Sequence, residues 1–292
     1  MNWKNRLILF LHKMWKKVLP SRKSQRSNPK CLIISTTALG DSLWGTPVVR
    51  HFKEIFPQSS LWVLTSNLGK EVFDGNPNVD VVKVYRGIPK LFLLLLKESF
   101  DWVVIFHASQ RPAIALSGFL RASRVVGTKG LCKGLEPLFT DLVDNKWKVH
   151  EIERRLSLIN VFLDKPIKNY SMELFFGKEE HLQVEKILEK KSLSIDCKKI
   201  IFHPGAKEVF RCWPTQRYVE LYKLIQLHTD MPVIITGTKS EAHLGKEIQQ
   251  QVPQVVSLMG ELSVKELAKL IEKSTVFISG DTGPMHLAFA VK

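Results

Sequence analysis

From Cys31 onward, apolar and polar positions follow two rhythms that take turns along the chain. The runs "CLIIS", "LWVLTS", "VDVVKVY", "DWVVIF" and "SRVVG" are short, β-branched and bounded by turn residues. Such runs predict strands of a parallel sheet covered on both faces. Between them lie helical patterns: one from about Ser42 to Phe56, one in "RPAIALSGFLR" and one from Val149 to Leu163. The stretch "DKPIKNYSMELFFGKEE" interrupts the rhythm, which then restarts. Strands are predicted in "KKIIFHPG", "MPVIITG", "VVSLMG" and "TVFISG". The helices between them are "TQRYVELYKLIQLH", "SEAHLGKEIQQQ" and "SVKELAKLIEKS", the last opened by a Ser263/Glu266 capping box. Two successive series predict an α/β chain with two Rossmann-like domains, 31–165 and 166–292, after a head and linker at 1–30.

Charge separates the head from the rest. The 292 residues carry a net +15, and residues 1–30 supply +9 of it from nine Lys/Arg and no Asp/Glu. On a helical wheel Trp3, Leu7, Ile8, Phe10, Leu11, Met14, Trp15, Val18 and Leu19 share one broad face. Arg6, Lys13, Lys16 and Lys17 lie opposite, with Leu9 and Lys4 out of pattern. This predicts that residues 1–19 lie on an anionic membrane surface, the alternative being a helix docked on the protein's own core. Residues 21–30 read as a solvated linker. The longest apolar run, Leu91–Leu96, is far short of a membrane span. Because the basic excess sits in the head and no RNA- or DNA-binding motif follows, nucleic acid is not expected as a partner. Four scattered cysteines without C-x-x-C suggest neither a zinc cluster nor a disulfide framework, and point to a reducing compartment.

There is no G-x-G-x-x-G, P-loop, G-x-S-x-G or D-x-D, and the nine histidines lack metal-ligand spacing. Three loops remain, each at the carboxyl end of a predicted strand, where open α/β sheets place ligands. In "TTALGDSLWGTP", Asp41 opens a helix. It reads either as an N-cap or as a base that takes a proton from an attacking hydroxyl. In "HPGAKEVFRCWPTQRY", Gly205 allows close backbone approach, and Lys207 and Arg211 offer cationic donors suited to a diphosphate. Read blandly, it is a solvated basic loop. In "SGDTGPMHLAFA", Asp281, Thr282 and Gly283 turn the chain into a helix whose free N–H groups suit an anion, with His286 one turn in. An ordinary capped turn is the alternative.

Together "IISTTALGDSLWGTPVVRHFKEIFP", "NPNVDVVKVY", "HPGA…RCWPTQRYVEL" and "SGDTGPMHLAFA" resemble glycosyltransferase family 9, the ADP-heptose:lipopolysaccharide heptosyltransferases. The resemblance covers about Leu32 to the end. It implies a GT-B architecture of two Rossmann-like domains facing a cleft, with the nucleotide sugar held mainly by the second. It also implies inverting transfer without a bound metal or resident cofactor. By position, Asp41 matches the family's catalytic base. Asp281, Thr282, Gly283 and His286 match the donor loop, and Arg211 matches a cationic residue before the Trp-Pro pair. Gly205, Ala206 and Lys207 belong to the loop preceding it, and Glu241 corresponds to a ribose-binding carboxylate. The implied substrates are a nucleotide sugar, ADP-linked in the family, and a lipopolysaccharide core/lipid A acceptor. The implied location is cytoplasmic, peripheral on the inner face of the bacterial inner membrane. Two departures stand out. Trp44 puts a large ring beside the proposed base. The chain also stops at Lys292, inside the helix after the donor loop, so the second domain is expected to be incomplete. Hence a competing expectation: a membrane-associated, non-catalytic remnant that still binds nucleotide sugar.

Overall fold

The computed structural model describes residues 3–18, 28–87, 97–106, 111–145, 148–162 and 169–291. The chain forms two compact units, Met1–Glu173 and Leu174–Lys292. The boundary expected at 165/166, the run Leu91–Leu96 and most of the linker fall outside the described residues.

In the first unit six parallel strands form one sheet: β1 (Lys30–Ser35), β2 (Ser60–Thr65), β3 (Val81–Val84), β4 (Ser99–Ile105), β5 (Arg121–Thr128) and β6 (Asp141–Val143). Their order is β3-β2-β1-β4-β5-β6. The apolar runs predicted from sequence are the buried strands: Ile33 stands between Val63 and Val104, and all three are buried. Leu32, Ile34, Leu64, Phe100, Val103 and Ile105 anchor the core on one face. The helices among its described residues are α1 (Trp3–Val18), α2 (Leu39–Leu43), α3 (Thr46–Ile55), α4 (Asn67–Phe73), α5 (Arg111–Phe119) and α6 (Glu151–Ile159).

The single helix predicted from Ser42 to Phe56 is two helices. Gly45 N–H bonds Ser42 O and Trp44 N–H bonds Gly40 O, closing α2. Thr46 Oγ1 then donates to Leu43 O at 2.8 Å, and Pro47 enters the first turn of α3, where no N–H is needed. The head is not a free-standing segment, because α1 packs on α5 and on the 3₁₀ turn at Glu136–Leu138.

The second unit carries the parallel strands β7 (Ile200–His203), β8 (Val233–Gly237), β9 (Val256–Met259) and β10 (Val276–Ser279) in the order β10-β7-β8-β9. Its helices are α7 (Lys178–Glu189), α8 (Thr215–Gln226), α9 (Ala242–Gln251), α10 (Val264–Glu272) and α11 (Gly283–Ala290). Phe202, Tyr218, Val219, Ile235 and Ile248 centre its core. The predicted capping box forms, with Glu266 N–H on Ser263 Oγ and Ser263 N–H on the Glu266 carboxylate. In each sheet the strand that comes first in sequence lies inside, and the order reverses beside it, between β1 and β4 and between β7 and β10. The crevice outside the carboxyl ends at such a reversal is where open α/β sheets bind ligands.

Candidate active site

Asp41 sits in the turn after β1, at the reversal point of the first sheet. It does not cap the helix. The N-cap of α2 is Ala38, with no side-chain cap bond, and Asp41 is the third helical residue. The expectation that Asp41 opens the helix fails because the chain turns helical two residues earlier, where Ser42 N–H and Ser42 Oγ both bond Ala38 O. Freed from capping, Asp41 Oδ1 accepts from Arg155 Nη2 at 2.9 Å. Among the described residues nothing bonds its Oδ2, and its side chain is 20% exposed.

Arg155 lies on α6 and its side chain is only 1% exposed. Its Nη1 donates to Glu151 Oε2 at 3.0 Å and to Glu151 O at 3.2 Å. The guanidinium stands over the Trp44 ring, 5.2 Å from the centroid. Trp44 in turn meets His150 edge-on at 5.9 Å, and His150 Nδ1 caps α6 by accepting from Ile152 N–H. Burial pushes the guanidinium below its ordinary value, while Asp41 and Glu151 pull it back up. Buried charges of this kind persist only when paired and hydrogen-bonded. The arrangement therefore fixes one carboxylate oxygen and leaves the other without a hydrogen-bond partner among the described residues. Ser35 Oγ and Thr37 Oγ1, beside this turn, are buried without a hydrogen-bond partner among the described residues.

In the second unit three loops meet at the carboxyl edge of the sheet. The loop after β7 holds Gly205, Ala206, Lys207 and Arg211, with Lys207 and Arg211 exposed. The loop after β10 holds Asp281, Thr282, Gly283 and His286. The two are joined across the β7/β10 reversal by Arg211 Nη1 and Asp281 Oδ2 at 3.2 Å. Gly280 permits this approach, since a Cβ there would collide with the Arg211 carbonyl oxygen. Thr282 is the N-cap of α11 without a side-chain cap bond, and its Oγ1 is buried without a hydrogen-bond partner among the described residues. Pro284 follows in the first turn.

Glu241, after β8, lies directly over Gly205, where a Cβ would strike its carboxylate. Its Oε2 accepts from Thr238 N–H at 2.8 Å and from Thr238 Oγ1 at 2.7 Å. At least one oxygen thus closes a turn. His203, at the end of β7, is buried against Thr236 Oγ1 at 3.0 Å, and burial pushes it down to about 4, with Glu241 opposing.

The structure thus gathers Gly205, Arg211, Glu241 and Asp281 at one edge, with Thr282 and Gly283 at the adjoining helix start. The role of Arg155 is not read from the motifs, yet the sequence carries a signal for it. In "HEIERRLSLI" it falls on the face shared by Ile152, Leu156 and Ile159, all buried. A charge on the core face of an amphipathic helix needs a partner. Among the described residues, no group of three or more His, Cys, Asp or Glu could hold a metal ion.

The sequence profile of glycosyltransferase family 9 (heptosyltransferase) matches residues 89–292. The lipopolysaccharide core heptosyltransferase OpsX of Haemophilus influenzae is 20% identical over 272 residues, 89% of this chain and 76% of the relative. Among solved structures, Escherichia coli ADP-heptose lipopolysaccharide heptosyltransferase II superposes with a TM-score of 0.75 at 21% identity, covering 90% of this chain and 82% of that one. Escherichia coli heptosyltransferase WaaC with ADP superposes with a TM-score of 0.71 at 15% identity, covering 90% and 84%.

Proposed function

Because the chain belongs to glycosyltransferase family 9, the heptosyltransferases, we propose that it moves a heptosyl group from an ADP-linked donor to a hydroxyl of the lipopolysaccharide core, with inversion. The observation that carries this reading is the Asp41–Arg155 pair. A carboxylate with one oxygen held by a buried cation and the other open is a positioned proton acceptor. In the proposed step the acceptor oxygen attacks C1 of the sugar from the face opposite the diphosphate. The bond from C1 to the diphosphate oxygen breaks, its electron pair stays on ADP, and the hydroxyl proton passes to Asp41 Oδ2.

The leaving diphosphate gains negative charge. Arg211, Lys207 and the N–H groups at the start of α11 are the groups proposed to meet it. Glu241 and Gly205 would line the nucleoside side, and His286 would reach a phosphate or the ribose. No resident cofactor enters this scheme. The donor assignment is supported by similarity to the Escherichia coli enzyme solved with ADP. The acceptor assignment is supported by the similarity to core heptosyltransferases. A phosphorylated core lipid as acceptor would place the reaction at the cytoplasmic face of the inner membrane.

The test is Asp41→Asn and Arg211→Ala, with ADP release and transfer to core lipid acceptors as one readout and calorimetry with ADP as the other. Asp41→Asn is expected to abolish transfer and leave ADP affinity within about twofold. Arg211→Ala is expected to weaken ADP roughly tenfold or more, the scale of a lost hydrogen bond to a charged group. Unchanged turnover in Asp41→Asn would remove Asp41 from its role. ADP binding with no transfer in the native chain would instead identify a binding-only protein.

A further inference from the structure

The first helix is mounted on its domain by the face opposite its most apolar one. Asn5 Nδ2 donates to Lys133 O at 2.9 Å and Trp15 Nε1 to Phe119 O at 3.0 Å. Ile8 and Leu9 pack on Ile114, Leu135 and Leu138, and His12 meets the Phe119 ring edge-on. Asn5 and His12 are the buried residues of this helix. By contrast Trp3, Leu7, Phe10, Leu11, Met14 and Val18 are exposed, from 47% to 73%. At 3.6 residues per turn these six share an arc of about 100°, centred about 150° from the docked face. A helix that merely completed a soluble core would show the reverse orientation. The apolar residues of the helix thus divide between two faces: Ile8, Leu9 and Trp15 meet the domain, and Trp3, Leu7, Phe10, Leu11, Met14 and Val18 are exposed.

The flanks of the exposed strip are basic. Beside α1 runs a groove of about 600 Å³ whose lining includes Leu9 and Phe10 together with Arg6, Lys13, Lys16 and Lys17. Residues 1–30 contain no Asp or Glu. A second copy of the same helix would therefore bring five cations against five, with no carboxylate on either to pair them. The partner that suits an apolar strip rimmed by cations is a bilayer with anionic headgroups, where the strip enters the acyl boundary and the lysines meet phosphates. We propose that α1 is a rigidly mounted membrane-surface anchor, inserting Trp3, Leu7, Phe10, Leu11, Met14 and Val18 into an anionic leaflet while Asn5, His12 and Trp15 keep the first unit attached. This proposal does not depend on the transferase reading, since vesicle binding needs neither donor nor acceptor.

The test uses the full chain with sucrose-loaded vesicles of phosphatidylcholine alone or with a third of the lipid replaced by phosphatidylglycerol. Strong sedimentation with the anionic vesicles is expected, weakened roughly tenfold or more on neutral ones and falling with added salt. Phe10→Asp with Met14→Asp, and separately Lys13→Glu with Lys17→Glu, should each lower binding by roughly tenfold while circular dichroism stays unchanged. Lipids brominated in the acyl chain should quench tryptophan emission, and Trp3→Phe should remove most of that quenching without loss of binding. This last readout holds even if a charged variant misfolds. The proposal is overturned if the native chain does not sediment with anionic vesicles, or if both charged variants bind as tightly as it does. Quenching untouched by Trp3→Phe also overturns it. So does a native dimer that Phe10→Asp with Met14→Asp dissolves in the absence of any vesicle binding, which would show the strip covered by a second copy.

Discussion

Replacing Arg155 by methionine separates what the buried guanidinium does for stability from what it does for Asp41. The side chain loses three hydrogen bonds, to Asp41 Oδ1, Glu151 Oε2 and Glu151 O. Two of them join opposite charges, each worth about 1.5–3 kcal/mol. Against that loss, methionine spares the desolvation of a fully buried cation, a penalty of several kcal/mol. The carboxylates left behind are not trapped, since Asp41 and Glu151 side chains are 20% and 29% exposed and regain water. The net cost in stability is therefore expected near ~2 kcal/mol, below the ~3–5 kcal/mol seen when an ion is stranded in an apolar interior. The converse change strands the cation: Asp41→Ala leaves Arg155 buried with Glu151 as its remaining carboxylate. Catalysis should respond more steeply than stability. A base displaced by about 1 Å loses roughly 10²-fold in rate, so Arg155→Met should lower kcat by about that factor while KM for the donor stays put. Stability is measured by urea denaturation of the single variants and the double variant with Asp41→Asn, and turnover by ADP release. A coupling energy of about 1–3 kcal/mol is expected from the cycle. Additivity within about 0.5 kcal/mol, together with a near-native kcat in Arg155→Met, would show that the pair neither forms nor positions the carboxylate.

Two further outcomes follow from the second unit. His203 has its proton affinity depressed by burial to about 4, so between about 6.5 and 4 the unfolded chain binds a proton that the native chain does not. Stability should be intact above that window and decline through it as pH falls, by up to ~3 kcal/mol, and His203→Gln should flatten the decline in urea titrations run from pH 7 to pH 4. Gly280→Ala forces a methyl group against the Arg211 carbonyl, so the Arg211 loop must shift; ADP affinity measured by calorimetry is expected to fall about tenfold, and native affinity would disprove the close approach.

The elements were legible where burial writes a simple pattern. Strands such as "CLIIS" and "DWVVIF" read correctly because parallel strands covered on both faces must be apolar throughout. The break at Trp44–Gly45 was not, since Trp44 continues the apolar rhythm and the interruption depends on which carbonyls the next turn can reach. The three-residue strand β6, with one residue exposed, carries too little pattern to stand out. Of the candidate site, the placement of the loops after β1, β7 and β10 at the carboxyl edges of their sheets was legible from the strand pattern. The partner of Asp41 was not, because it lies 114 residues away: the charge on the apolar face of its helix signals that Arg155 needs a partner but not which residue supplies it. In the head, the wheel placed Ile8 and Trp15 on one face with Phe10 and left Leu9 out, whereas Ile8, Leu9 and Trp15 meet the domain, since periodicity marks apolarity and not what covers it.

The Asp41 cluster draws all its members, Trp44, His150, Glu151 and Arg155, from one compact unit, and the Arg211–Asp281 junction draws all of its own from the other. On the proposed reading, a chimera joined between residues 173 and 174 keeps the side-chain contacts of each cluster within one parental segment, so the half proposed to hold the nucleotide and the half proposed to accept the proton can be exchanged and assayed separately.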